Sequence, residues 1–175
     1  MKEKHNGMTR RDFAKISAAA GFAILSSRSG IAETNSGTLK VGLLGCGGRG
    51  TGAAENILEG CDNVKLVALA DAFEDKVQGT LKSLEGKGKK ISKKVDVSPE
   101  MCFSGLDAYE KILKTDIDIL IEATMPAFRP KHVEAAVNAG KHIFTEKPVA
   151  VDPDGIRQFI AAAERYGLTP QIDRW

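Results

Sequence analysis

Residues 39–50 read LKVGLLGCGGRG, and this stretch decides the fold. An apolar run of Val41, Leu43 and Leu44 passes directly into Gly45-Cys46-Gly47-Gly48-Arg49-Gly50, a match to G-x-G-x-x-G. The pattern predicts a buried strand, a tight turn and a helix start that together hold a dinucleotide diphosphate. Gly45 permits the turn, Gly47 lets the backbone approach the phosphates, and Gly50 lets the helix lie close to the sheet. The first N–H groups of that helix have no partner within it and face the anion. An ordinary glycine-rich turn is the alternative, so the surrounding residues matter.

The strongest of these surroundings is Val64–Asp71, VKLVALAD, a second apolar run ending in an acidic residue 21 positions after Gly50. A carboxylate at the tip of the second strand accepts hydrogen bonds from the adenosine ribose hydroxyls. It also repels a 2′-phosphate, so Asp71 favours NAD over NADP. The residues that follow, Ala72 and Phe73, bring no cation to offset that repulsion. The competing role for Asp71 is to cap a helix beginning near Phe73.

Composition places the chain among ordinary globular proteins: 175 residues are enough for one domain with a sizeable core. Its formal net charge of +2 is unevenly distributed. Residues 1–32 carry six Lys or Arg against two Asp or Glu, leaving 19 basic and 21 acidic groups elsewhere. The basic excess therefore belongs to the leader and gives no support to a nucleic-acid partner. Cys46, Cys61 and Cys102 show no metal-ligand spacing, and their odd number argues against a complete disulfide framework. No metal is expected.

Within the leader, Thr9-Arg10-Arg11-Asp12-Phe13-Ala14-Lys15 precedes a short Ala-rich apolar stretch, Ile16–Leu25. That stretch is too short for a permanent membrane anchor. A basic start, an apolar middle and a small-residue exit at Gly30-Ile31-Ala32 describe an export signal. The segment resembles a twin-arginine signal, which implies the twin-arginine export machinery as a partner and an exported, periplasmic or extracytoplasmic protein. The alternative is a basic amphipathic helix that stays attached. The expected division is a signal over 1–32, a polar linker over 33–38 and a nucleotide-binding domain over 39–175.

Within that domain, strands and helices alternate with short joins. Helices are expected at Thr51–Leu58, Phe73–Leu84 (with Phe73, Val77, Leu81 and Leu84 on one face), Leu106–Leu113, Lys131–Ala139 and Asp152–Arg165. Ile156, Phe159, Ile160 and Ala163 are expected to face inward on the last of these. Strands are expected near Pro99–Phe103, at Asp118–Thr124 and at His142–Thr145, with Leu168–Ile172 as a sixth. Glu85–Lys94 reads as a solvated lysine- and glycine-rich loop. Gly140 and Gly167 are helix stops. The whole describes an α/β, doubly wound parallel sheet of the Rossmann type.

Ala139-Gly140-Lys141-His142-Ile143-Phe144-Thr145-Glu146-Lys147-Pro148 adds a more specific resemblance. With the glycine loop and Asp71 in place, everything from Leu39 onward resembles the cofactor domain of the Gfo/Idh/MocA oxidoreductases. The resemblance implies NAD or NADP, a pyranose or cyclitol-like substrate, and hydride transfer at a ring or chain carbon. It places a catalytic lysine at Lys147 and cofactor contacts at Gly45, Cys46, Gly47, Gly48, Arg49, Gly50, Asp71, Thr124, Pro126, Glu146 and Lys147. Independently of the family, Lys147 follows the C-terminal end of a buried parallel strand, where α/β sheets place their ligands. Pro148 restricts it to extended backbone angles. Met125 departs from the Thr-Pro the family shows after the fourth strand. His132 and His142 are read as packing or capping residues.

The family also has a C-terminal substrate domain, which supplies an acid/base histidine and which nothing after Lys147 resembles. A piece of a longer protein is therefore expected rather than a stand-alone domain, with a homo-oligomer compatible with the longer form. The leading reading is the NAD-binding half of an exported oxidoreductase. The alternatives are an NAD-dependent glycoside hydrolase of the same superfamily, which oxidises its sugar only transiently, and a non-catalytic NAD-binding module.

Overall fold

A computed structural model describes residues 37–165. The twin-arginine-like leader, the first part of the linker, the Gly167 stop and the Leu168–Ile172 strand lie outside the described residues.

Five parallel strands form one sheet: β1 (Leu39–Leu44), β2 (Val64–Asp71), β3 (Cys102–Ser104), β4 (Ile119–Glu122) and β5 (His142–Thr145), in the order β3-β2-β1-β4-β5. The central strand β1 is flanked by β2 and β4, with Leu44 opposite both Ala70 and Glu122. The order reverses at β1, so the chain winds outward in both directions and leaves a crevice at the strands' C-terminal ends. The functional motifs lie at that edge.

Alternation along the strands divides the core into two layers. Val41 and Leu43 of β1, Leu66 and Leu69 of β2 and Ile121 of β4 pack against α1 (Gly48–Gly60) and α2 (Glu74–Glu85). Leu44, Ala68, Ala70 and Leu120 meet α4 (Ala108–Leu113) and α5 (Arg129–Asn138) on the opposite face. Each fully buried Leu or Val contributes roughly 1.5–3 kcal/mol by leaving water. Continuous apolar runs suit strands covered on both faces. α6 (Pro153–Arg165) packs on α5 through Ala162 and Phe159, beside Val133 and Val137.

α5 ends as its sequence implies. Gly140 adopts φ +68°, its amide reaches Val137 O, and the Lys141 amide reaches Ala136 O at 3.0 Å. This closes the last turn and sends the chain into β5.

Several sequence expectations are corrected. α1 begins at Gly48 rather than Thr51, so the second half of the glycine motif is itself the helix's first turn. Phe73 precedes α2 and is 65% exposed instead of packing with Val77 and Leu84. The lysine-rich loop contains a short helix, α3 (Lys89–Ser92), anchored by buried Ile91. Leu106 stands outside α4, α5 starts two residues early at Arg129, and β4 is trimmed to four residues. On α6, Phe159 and Ala163 face inward as expected, joined by Ala162, while Ile156 and Ile160 are 44% and 42% exposed. Among the described residues no helix is long and apolar enough to cross a membrane.

Candidate functional site

The turn after β1 is built by close backbone contact. Gly45 has φ +98°, and a Cβ there would stand 2.6 Å from Ala123 C and Thr124 N. A Cβ on Gly50 would stand 1.9 Å from Gly45 O, so α1 sits directly against the turn. Gly47 and Gly48 are different: a Cβ on either would meet nothing within 4 Å, so here the backbone is open to a ligand. Gly47 is the N-cap of α1, no side chain caps the helix, and no acidic residue stands in its first turn. Unpaired N–H groups therefore face open space with the positive end of the helix dipole behind them.

Asp71 ends β2 beside this turn. Its Oδ2 accepts the Cys46 amide at 2.7 Å and its Oδ1 accepts the Phe73 amide at 3.0 Å. It is not the N-cap of α2, a position held by Phe73 without a side-chain bond. The carboxylate is thus fixed by two amides and retains acceptor capacity for further donors. Cys46 is buried; its thiol reaches Ala70 O at 3.5 Å, and burial, with the Asp71 charge second, pushes its pKa up to about 12. It is a packing residue whose amide, not its sulfur, serves the site.

Gly45, Gly47, Asp71 and Thr124 line one cleft of about 580 Å³. Further side chains complete it: Phe73 and Leu106, Met125 and Phe128 from the segment after β4, and Lys76 and Lys131 as cations. Lys131 lies 5.0 Å over the Tyr109 ring, and the Tyr109 hydroxyl holds its pKa above the ordinary lysine value. Pro126 is not brought into this cleft. It lines a smaller cavity with Pro130 and Gly155, and Met125 takes the expected place.

Beyond the cleft, a buried polar cluster joins β4, α5 and β5. Glu122, fully buried, receives the Thr124 amide at 3.2 Å and the Thr124 hydroxyl on Oε1. His132 Nδ1 lies 3.3 Å from the same oxygen, and the ring stacks on Tyr109 with centroids 4.7 Å apart. Arg129 Nε stands 3.3 Å from Glu122 Oε2. The guanidinium donates to Thr124 O from Nε and Nη2, and to Glu146 O and Pro148 O from Nη1. Glu122 and Arg129 were not singled out in the sequence. Their available signals were an acid closing the apolar run ILIE and an Arg just before a proline at a helix start.

Lys147 is exposed, and its ammonium has no hydrogen bond or ion pair among the described residues. Glu146 beside it is 4% exposed, with Oε1 2.7 Å from Arg49 Nη2. Among the described residues no aligned hydrogen bond reaches Oε1, so the Arg49 contact is what offsets its charge. Arg49 and Glu146 therefore meet one another, but neither they nor Lys147 are among the residues that line the cleft. The strand before Lys147, β5, is half exposed rather than buried. No group of three or more His, Cys, Asp or Glu suited to a metal ion occurs among the described residues.

The residues present fit a dinucleotide: an open glycine turn, an uncapped helix start and a fixed carboxylate share one cleft. Comparison with known proteins agrees. The model of the Gfo/Idh/MocA group, described as "Oxidoreductase family, NAD-binding Rossmann fold", matches residues 39–173. A glycosyl hydrolase family 109 protein from Solibacter usitatus is 29% identical over 166 residues, covering 89% of this chain and 36% of the relative. Inositol 2-dehydrogenase from Agrobacterium fabrum is 26% identical over 130 residues, covering 74% and 34%. The apo scyllo-inositol dehydrogenase of Lactobacillus casei superposes with a TM-score of 0.60 at 25% identity, over 75% of this chain and 34% of that one. The chain thus spans about a third of the length of these relatives. With a family model matched from β1 to beyond α6, the chain belongs to the Gfo/Idh/MocA oxidoreductase family and carries its NAD-binding Rossmann fold.

Proposed function

We propose that this chain is the NAD-holding part of an enzyme that cleaves a glycoside through transient oxidation of the sugar. The observation that carries the cofactor half is Asp71, fixed by the Cys46 amide at 2.7 Å at one end of a cleft whose glycine turn is open. The preference for hydrolysis is supported by the recurrence of glycosyl hydrolase family 109 proteins among the relatives. When bound, NAD would supply a hydride acceptor for the transient oxidation. Asp71 would orient the adenosine ribose and disfavour a 2′-phosphate. The N–H groups at the start of α1 would hold the diphosphate. Lys147, without a partner among the described residues, would stabilise negative charge developing on the sugar oxygen or exchange a proton with it.

A second reading is net oxidation of a sugar or cyclitol, favoured by the inositol 2-dehydrogenase relative and by the inositol dehydrogenase superposition. A panel of nitrophenyl glycosides and free cyclitols, given to the NAD-loaded protein, separates the two. Nitrophenol release without NADH accumulation supports hydrolysis, and stoichiometric NADH supports oxidation. Cofactor binding with neither product supports a binding module that depends on further chain for chemistry.

Residues 9–15 support export by the twin-arginine route, which suits a protein that folds around its cofactor before crossing. Export of a reporter fused to residues 1–38, lost on Arg10→Lys/Arg11→Lys, is the expected outcome. Undiminished export of the variant rejects it.

A further inference from the structure

We infer that Arg129 is the positioning residue of Lys147, fixing the lysine's backbone to the wall of the cofactor cleft. The inference rests on the reading of Lys147 as the charge at the nicotinamide end. Among the described residues nothing holds the Lys147 side chain itself, so its direction comes from its backbone. Both flanking carbonyls, Glu146 O and Pro148 O, accept from Nη1 of the same guanidinium, the latter at 2.7 Å. The other edge of that guanidinium grips Thr124 O, with Nε at 2.9 Å and Nη2 at 2.7 Å. Thr124 lines the cleft. One rigid, planar group therefore ties the cleft wall to both sides of residue 147.

The guanidinium is itself fixed. Arg129 opens α5, is 5% exposed, and has its charge offset by fully buried Glu122. Glu122 also accepts the Glu146 amide on its carbonyl at 2.9 Å, so residue 146 is bound through both its N–H and its C=O. A buried ion pair is weak evidence for net stability, since desolvation offsets most of its attraction. What a guanidinium adds is direction: its donors lie in one plane at set angles, an arrangement an ammonium does not reproduce.

The readout is the ratio of dissociation constants for NAD and NADH on the full chain, with ADP as a control for the cleft. A cation beside the nicotinamide disfavours the oxidised, positively charged ring relative to the neutral reduced one. Lys147→Ala is expected to shift the ratio toward NAD by about fivefold, the size of a charge–charge interaction at close range in a watery site. Arg129→Met and Arg129→Lys are expected to give the same shift while ADP affinity stays within about twofold, a displacement through Lys147 being all they cause. Combining either with Lys147→Ala is expected to add nothing, as coupled residues fail additivity. The Lys variant keeps the buried charge and guards against a Met variant that does not fold. If Lys147→Ala shifts the ratio and Arg129→Lys, with ADP binding intact, does not, the positioning role is overturned. Additive shifts in the double variant overturn it as well. If Lys147→Ala has no effect, the reading of Lys147 falls and the inference falls with it.

Discussion

Arg49 Nη2 lies 2.7 Å from Glu146 Oε1, joining the first turn of α1 to the residue before Lys147. A cation in the first helical turn opposes the helix dipole. Glu146 offsets it, and contact with that carboxylate raises the Arg49 pKa above its ordinary value. The exposed arginine in turn is the only cation within ion-pair distance of a nearly buried carboxylate, among the described residues. Arg49→Ala is therefore expected to lower the denaturation midpoint, and Glu146→Gln in the same chain to recover most of the loss. Equal midpoints for wild type and Arg49→Ala at low salt contradict this.

The glycines separate folding from binding. Gly50→Ala places a methyl 1.9 Å from Gly45 O, where only movement of the turn or helix relieves the clash. A loss of about 3 kcal/mol or more is expected in urea unfolding. Gly47→Ala meets open space at φ −77° and is expected to change stability by no more than about 1 kcal/mol. Its methyl would stand where the proposed site receives the diphosphate, so NAD affinity is expected to fall at least about tenfold. A Gly47→Ala protein that binds NAD normally places the phosphates elsewhere.

This division was legible in the sequence because the glycine spacing carries its own geometry. The central strands β1 and β2 were equally legible, since an apolar run between turn residues leaves little choice in a sheet covered on both faces. The expected third strand, by contrast, is a helical turn over Pro99–Met101 followed by only Cys102–Ser104. The inward face of α6 was legible in half. Phe159 and Ala163 pack inward as expected, but Ile156 and Ile160 are exposed and Ala162 is buried instead, because small residues let α6 approach α5. The Arg129 contacts were illegible for a related reason, since they run to backbone carbonyls that no side-chain pattern marks. Pro126 was exchanged for Met125 because the turn into α5 directs consecutive residues to opposite sides.

Cys46 makes an alkaline prediction. Its folded pKa, about 12, lies above the ordinary thiol value of 9.0, so the folded state keeps a proton that the unfolded chain releases. The associated stability is complete below pH 9 and is lost as pH rises toward 12. Relative to Cys46→Ala, the wild type is expected to lose about 1.4 kcal/mol per pH unit across that window. Parallel stability curves for the two proteins between pH 9 and 11 contradict a buried, protonated thiol. With a thiol-specific reagent at pH 8, exposed Cys61 is expected to react first and Cys46 only on unfolding.

The central claim is that Asp71 and the open glycine turn form a site for NAD rather than NADP. Calorimetric titration of the full chain with NAD and NADP, beside Asp71→Asn, tests it most directly. Saturable NAD binding at least about tenfold tighter than NADP, with the preference collapsing in Asp71→Asn, is the predicted result. Equal affinity for the two cofactors in the wild type, or no NAD binding by the folded protein, contradicts it.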